Sequence, residues 1–161
     1  MGKKATKAAG NIYYEARSRA AEEDSMYASR EGAAELLSMD RTKLARIELG
    51  NVLPYPEEVL AMAKGYNAPE LCNAYCATQC PIGKKTVQKV ELDDFDRLSL
   101  KVLGSLKGIE ELKSNLISIS EDGKVDAGER EAFEDILNML DKISVNAEAL
   151  KLWAEKNIRL D

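Results

Sequence analysis

The sequence contains no histidine. That single absence removes the Ser-His-Asp triad, the Cys-His pair, the HExxH metal site and every histidine-bearing zinc finger. No other catalytic cluster replaces them, so the protein is not expected to be an enzyme. Long apolar runs are also missing. The longest, Val59 to Ala63, is far below the roughly 20 residues that a membrane helix needs. No apolar segment of signal-peptide type follows the N-terminus, which predicts a cytoplasmic protein without a membrane partner. Strand signals are nearly absent, because no segment between turn residues alternates apolar and polar positions. Positive charge is in deficit, with 23 basic against 28 acidic residues and a net charge of −5. This balance argues against bulk polyanion binding and against a polybasic membrane anchor. Any nucleic-acid role has to rest on local charge.

What is present points to helices. Hydrophobic residues make up 45% and charged residues 32% of the 161, the mix of a soluble globular protein large enough for one ordinary domain or two small ones. The four prolines, Pro54, Pro56, Pro69 and Pro81, fall in the middle third, so short helices are expected before Pro81 and long ones after it. Residues 1–10 read as a flexible basic tail carrying Lys3, Lys4 and Lys7. Asn11, Ser29 and Asp40 are placed to cap three helices, and Gly50 stands where the third needs a left-handed residue to end it. Pro56 and Pro69 open a fourth and a fifth helix. A domain is thus expected over 11–83, with its last helix bearing the cysteines, followed by a polar linker over 84–91.

Beyond the linker, residues 92–161 carry two amphipathic segments. Phe95, Leu98, Val102, Leu106, Ile109, Leu112, Leu116 and Ile119 recur at steps of three and four in the first. Phe133, Ile136, Leu140, Ile143, Ala147, Leu150 and Ala154 do so in the second. The short turn around Gly123 predicts a long antiparallel helical hairpin. A two-helix hairpin cannot cover both stripes, so homodimerisation through this region is expected.

Within the expected helices, the most basic turn and a half without an acid is Arg41 to Arg46, which holds Arg41, Lys43 and Arg46. Leu44 and Ile47, three apart, supply the buried side of that helix and leave Arg41, Thr42, Lys43 and Arg46 outside. Such a helix suits a major groove, where arginine pairs with guanine edges and threonine with a thymine methyl or a hydroxyl-compatible edge. The segment from Ser29 to Pro54, SREGAAELLSMDRTKLARIELGNVLP, resembles the phage-repressor (Cro-like, XRE-type) helix-turn-helix. The resemblance extends through Pro56–Lys64 and Asn67–Leu71 and covers about residues 11–75. It implies an all-α, five-helix, lambda-repressor-like DNA-binding domain, with double-stranded DNA as partner. It also implies base-reading positions at Arg41, Thr42 and Arg46, and base or phosphate contacts from Arg30 and Lys43, with backbone amides near Ser29 and Arg30 facing a phosphate. Ser38 departs from the glycine usual in the family's turn and has to accept an uncomfortable backbone. Gly32 and Ala33 replace larger helix formers, which leaves helix two weaker or packed by Met26 and Tyr27. Leu49 removes a phosphate contact. Residues 1–70 hold ten basic and eleven acidic residues, so DNA affinity has to come from one face.

The remaining motifs weigh less. Cys72, Cys76 and Cys80, spaced C-x3-C-x3-C, are candidates for zinc or an iron–sulfur cluster with an incomplete ligand set, for a Cys76–Cys80 redox pair, or for plain packed thiols. The run Tyr75 to Gly83 resembles one that follows similar bacterial helix-turn-helix domains. Residues 118–129 imitate a calcium loop, but Ser118 and Ser120 stand where two carboxylate ligands belong. Gly123 as a helix end and Asp126 as a helix cap account for that turn better. Met1-Gly-Lys-Lys-Ala-Thr6 formally fits a myristoylation pattern, and Gly83-Lys84-Lys85-Thr86 the end of a phosphate loop, but neither has its context. The expected function is a homodimeric, sequence-specific transcriptional regulator. The alternatives are a protein-interaction adaptor built on the hairpin and a metal or redox sensor built on the cysteines.

Overall fold

The computed structural model of the protein describes residues 7–121 and 123–158, and these are all-helical with no strand. In chain order the helices are α1 (Ile12–Glu23), a 3-10 turn (Ser25–Ala28), α2 (Arg30–Leu36), α3 (Arg41–Glu48), α4 (Pro56–Gly65), α5 (Glu70–Thr78), α6 (Gly83–Thr86), α7 (Phe95–Ser105), α8 (Ile109–Ser120) and α9 (Arg130–Asn157). The chain divides into two compact units, Met1–Lys89 and Val90–Asp161.

In the first unit, helices begin where local chemistry supplies an acceptor for their free N–H groups. The Asn11 side-chain oxygen Oδ1 accepts from the backbone N–H groups of Tyr13 and Tyr14, the Ser29 hydroxyl from Gly32 N–H, and the Asp40 carboxylate from Lys43 N–H. Three helices end by one device, in which two N–H groups past the end reach back to the last-turn carbonyls around a left-handed residue. Ser38 (φ 52°) plays this part after α2, with Ser38 N–H donating to Glu35 O and Met39 N–H to Ala34 O. Gly50 (φ 72°) ends α3, and Asn67 (φ 48°) ends α4. Around these ends, Tyr13, Ala16, Ala33, Leu44, Ile47, Val59, Met62 and Leu71 form one apolar core. Fully burying a Leu or Ile is worth about 1.5–3 kcal/mol, so the α3 face bearing Leu44 and Ile47 is a principal anchor of that helix.

Two details differ from the sequence expectation here. Residues 1–6 of the expected tail lie outside the described residues. Residues 7–10, expected to fray, instead form a turn in which Ala8 is buried and its carbonyl accepts from Asn11 N–H at 3.0 Å. Gly83, the last residue of the expected domain, and residues 84–86 of the expected linker form the short helix α6. Gly32 and Gly83 are there for closeness: a Cβ on Gly32 would stand 2.3 Å from Met26 O, and one on Gly83 2.1 Å from Cys76 O. Gly32 therefore admits the 3-10 turn onto α2, and Gly83 admits the turn after α5 onto that helix.

In the second unit, α7 and α8 both pack on α9. Leu98 clusters with Ala149 and Leu152, while Leu112 and Ile119 cluster with Ile136. Contact positions on α9 fall as positions on α7 and α8 rise, so the packing is antiparallel. The first arm is not one helix. It breaks at 106–108, where Gly108 adopts φ 90°. The seam keeps only part of the apolar stripe read in the sequence: Phe133 and Ile136 pack with Leu112 and Ile119, and Leu150 packs against the cluster around Leu98. Along the later part of α9, Val145, Ala149 and Leu152 face α7, and Ile143, Ala147 and Ala154 of the stripe stay half-buried. Asp126 does not cap α9 directly. Its carboxylate accepts from Gly128 and Glu129 N–H groups in the turn before Arg130, where α9 begins.

Candidate nucleic-acid interface

The expected contact residues Arg41, Thr42, Lys43 and Arg46 all lie on α3, and Arg30 is the first residue of α2. Arg41, Thr42 and Arg46 are exposed, while Leu44, Ile47 and Glu48 are buried on the opposite side of the same helix. One face is thus cationic and the other fixed to the core.

Lys43 and Arg30 are placed differently. Lys43 Nζ lies 2.6 Å from Glu58 Oε1 and 3.8 Å from the centre of the Tyr55 ring. The other Glu58 oxygen accepts from Tyr55 N–H at 2.7 Å. One carboxylate therefore joins α3 to the loop that leads into α4. Arg30 Nε donates to Glu48 Oε2 at 2.6 Å, with its side chain 35% exposed.

Glu48 itself is wholly buried and is shared. Its Oε1 accepts from Arg17 Nε at 2.5 Å and its Oε2 from Arg17 Nη2 at 3.1 Å, so Arg17 of α1 grips it with two N–H groups. Arg17 Nη1 also donates to Tyr27 O at 2.8 Å and Ala28 O at 3.3 Å, the end of the 3-10 turn. Burial alone lowers an arginine's pKa, but the hydrogen bond and charge of Glu48 outweigh it and hold Arg17 above its ordinary value. This network links α1, the 3-10 turn, α2 and α3 behind the exposed face. A second tie comes from Asn11, whose amide nitrogen donates to Ile47 O at 3.0 Å near the end of α3.

Sequence reasoning did not identify Arg17, Glu48, Glu58 or the second role of Asn11. A weak signal existed for two of them. Arg17 follows Tyr13 by four and Ala16 by one on an apolar face, and Glu48 follows Leu44 by four, so both charges sit at core positions.

None of the three cysteines is in a disulfide, and all are half-buried. Cys72 and Cys76 are on α5, and Cys72 packs against the core. Cys80 lies beyond the helix, and its sulfur accepts from Gly83 N–H at 3.4 Å. Among the described residues, no group of three or more Cys, Asp or Glu side chains is arranged to hold a metal ion.

No described helix is long and apolar enough to cross a membrane. Comparison with curated proteins and with solved structures returned no match. A family model described as a helix-turn-helix domain matches residues 15–72, the span that holds Arg17, Arg30, α3 and Glu58. Residues 15–72 therefore form a helix-turn-helix domain, consistent with the XRE-type family.

Proposed function

We propose that the protein is a transcriptional regulator that binds double-stranded DNA sequence-specifically as a homodimer, with α3 laid in the major groove. The observation that carries this reading is the exposed Arg41, Thr42 and Arg46 face, held from behind by Leu44, Ile47 and Glu48 within the helix-turn-helix segment. In this role Arg41 and Arg46 pair with guanine edges and Thr42 meets a thymine methyl. Lys43 and Arg30, already engaged with Glu58 and Glu48, suit the phosphate backbone better than base edges. Two copies would address half-sites about 34 Å apart, one turn of DNA.

Selection of binding sites from random duplexes, followed by affinity titration at several salt concentrations, tests the reading. Arg41→Ala and Arg46→Ala should each cost about 1–3 kcal/mol and relax preference at one base position. Lys43→Ala should weaken all sequences alike and lower the salt slope by about 0.9. Equal affinity and preference in mutant and wild type would remove α3 from the interface. The adaptor reading draws on Leu100 and Leu103 of α7, which are 69% and 66% exposed. It predicts partner binding that hardly changes with salt and survives both arginine substitutions.

A further inference from the structure

Two of the three cysteines meet where α5 ends. Cys76 stands in the last turn of that helix, and Cys80 follows its final residue, Thr78, by two. Cys80 N–H donates to Tyr75 O at 3.0 Å, the carbonyl of the peptide bond that leads into Cys76. Standard bond lengths then place the Cys76 and Cys80 Cα atoms no more than about 7 Å apart, the outer limit that a disulfide bridges. Gly83 touches both residues. A Cβ on it would stand 2.1 Å from Cys76 O and 2.9 Å from Cys76 Cα, and its N–H donates to Cys80 Sγ at 3.4 Å. The turn over 80–83 thus folds back on Cys76 with the Cys80 sulfur inside it. Cys72 is placed differently. It packs against the core one helical turn before Cys76. Side chains four apart on a helix keep their Cβ atoms about 5–6 Å from one another, against the roughly 3.5–4.5 Å that a disulfide needs.

We infer that Cys76 and Cys80 are a dithiol pair that a hydroperoxide oxidises to an intramolecular disulfide. The thiolate of one attacks the O–O bond, becomes a sulfenic acid and releases an alcohol, or water from hydrogen peroxide. The sulfur of the other displaces the sulfenic hydroxyl as water, and the S–S bond forms. The two thiols lose two electrons and two protons, and the hydroperoxide is reduced to alcohol and water. A small dithiol reverses the change by exchange and is itself left as a disulfide. The loop that the new bond closes contains Gln79. Gln79 Oε1 accepts from the hydroxyl of Tyr13 at 3.0 Å, and Tyr13 lies in the core, so the pair is tied to the interior of the first unit. The inference concerns the cysteines alone and stands whether or not α3 meets DNA.

Exposure of the full chain to hydrogen peroxide, followed by thiol counting and peptide mapping, tests the pair. The count should fall from three to one per chain, with a mass loss of two hydrogen atoms. The map should join Cys76 to Cys80 and leave Cys72 reduced, and a dithiol should restore all three thiols. Cys72→Ser should still form the bond, whereas Cys76→Ser and Cys80→Ser should each abolish it with unchanged helical circular dichroism. The wild-type map decides the matter if a serine variant fails to fold. In denaturant Cys76 should pair with Cys72 and Cys80 about equally, since both are four residues away; selectivity that survives unfolding would mean that the fold does not choose the partner, and the inference falls. Three thiols left after exposure, oxygen added to a single sulfur without an S–S bond, a bridge to Cys72 in the folded chain, or a bridge between two chains would each overturn it as well.

Discussion

Glu48 holds two arginines at once, Arg17 from α1 and Arg30 from α2, with none of its own surface exposed. Removing the carboxylate charge strands Arg17 in the core, and breaking a buried pair on one side costs about 3–5 kcal/mol. Glu48→Gln should therefore lower the unfolding midpoint of the N-terminal unit steeply. Replacing both partners, Arg17→Met with Glu48→Leu, should cost less than Glu48→Gln alone. Chemical denaturation of the three proteins checks this. Tyr66 is the opposite case. Its hydroxyl is buried without a hydrogen-bond partner, and burial pushes its phenol far above the ordinary value of 10.0. Tyr66→Phe should thus keep or raise stability at neutral pH, by up to about 1 kcal/mol. The raised pKa gives the sign of the alkaline effect. The stabilisation is fully present below pH 10.0 and declines above it, because the unfolded chain ionises first. The Phe variant should therefore lose less stability between pH 9 and 11 than wild type does, about that value. Neither Arg17 nor Tyr66 could be assigned from sequence. A charge or a phenol reads as solvated until the fold brings distant residues around it.

At the scale of elements, the starts of α1, α2 and α3 were legible, because Asn11, Ser29 and Asp40 act on N–H groups two or three residues away. The ends after α2 and α3 were legible for the same reason. Ser38 was expected to bear an uncomfortable backbone and has φ 52°. A left-handed conformation costs an L-residue about 1–2 kcal/mol. Glycine avoids that strain but loses entropy on folding. Ser38→Gly should accordingly raise the unfolding free energy by about 0.5–1 kcal/mol, read by denaturant titration; a loss would mean that the serine side chain stabilises the turn. The break between α7 and α8 was not legible. Apolar spacing continues from Leu98 to Ile119 as though one helix ran through, and the left-handed Gly108 interrupts it without disturbing that spacing. The α9 seam was legible only in part, with Phe133, Ile136 and Leu150 of the expected stripe packed and Val145, Ala149 and Leu152 added from another side: a helix with apolar residues on more than one side does not say which side its neighbours choose.

For the whole molecule, the two units have separate cores. Heating should therefore show two transitions, only the first unit's being moved by Glu48→Gln. In the second unit, the Lys101 hydrogen bond holds the Asp93 carboxyl below its ordinary range. That support is present above pH 3.8 and is lost as pH falls through the lower folded value. Asp93→Asn should lower the second transition at neutral pH, and the difference from wild type should shrink as the pH falls below 3.8. The overall charge of −5 concealed a helix whose single acid, Glu48, is turned inward. Residue counts along the chain cannot register that sidedness.

Asn11 has a further consequence for where the N-terminal unit can be cut. Its side chain serves the first turn of α1 with its oxygen and the Ile47 carbonyl of α3 with its nitrogen. A truncation that stops short of it keeps both ends tied. One residue more loosens the start of one helix and the end of another together, although they are far apart in sequence. Trimming up to Asn11 removes the buried Ala8 and its bond to Asn11 N–H, while loss of the Asn11 amide itself is the step that also reaches α3.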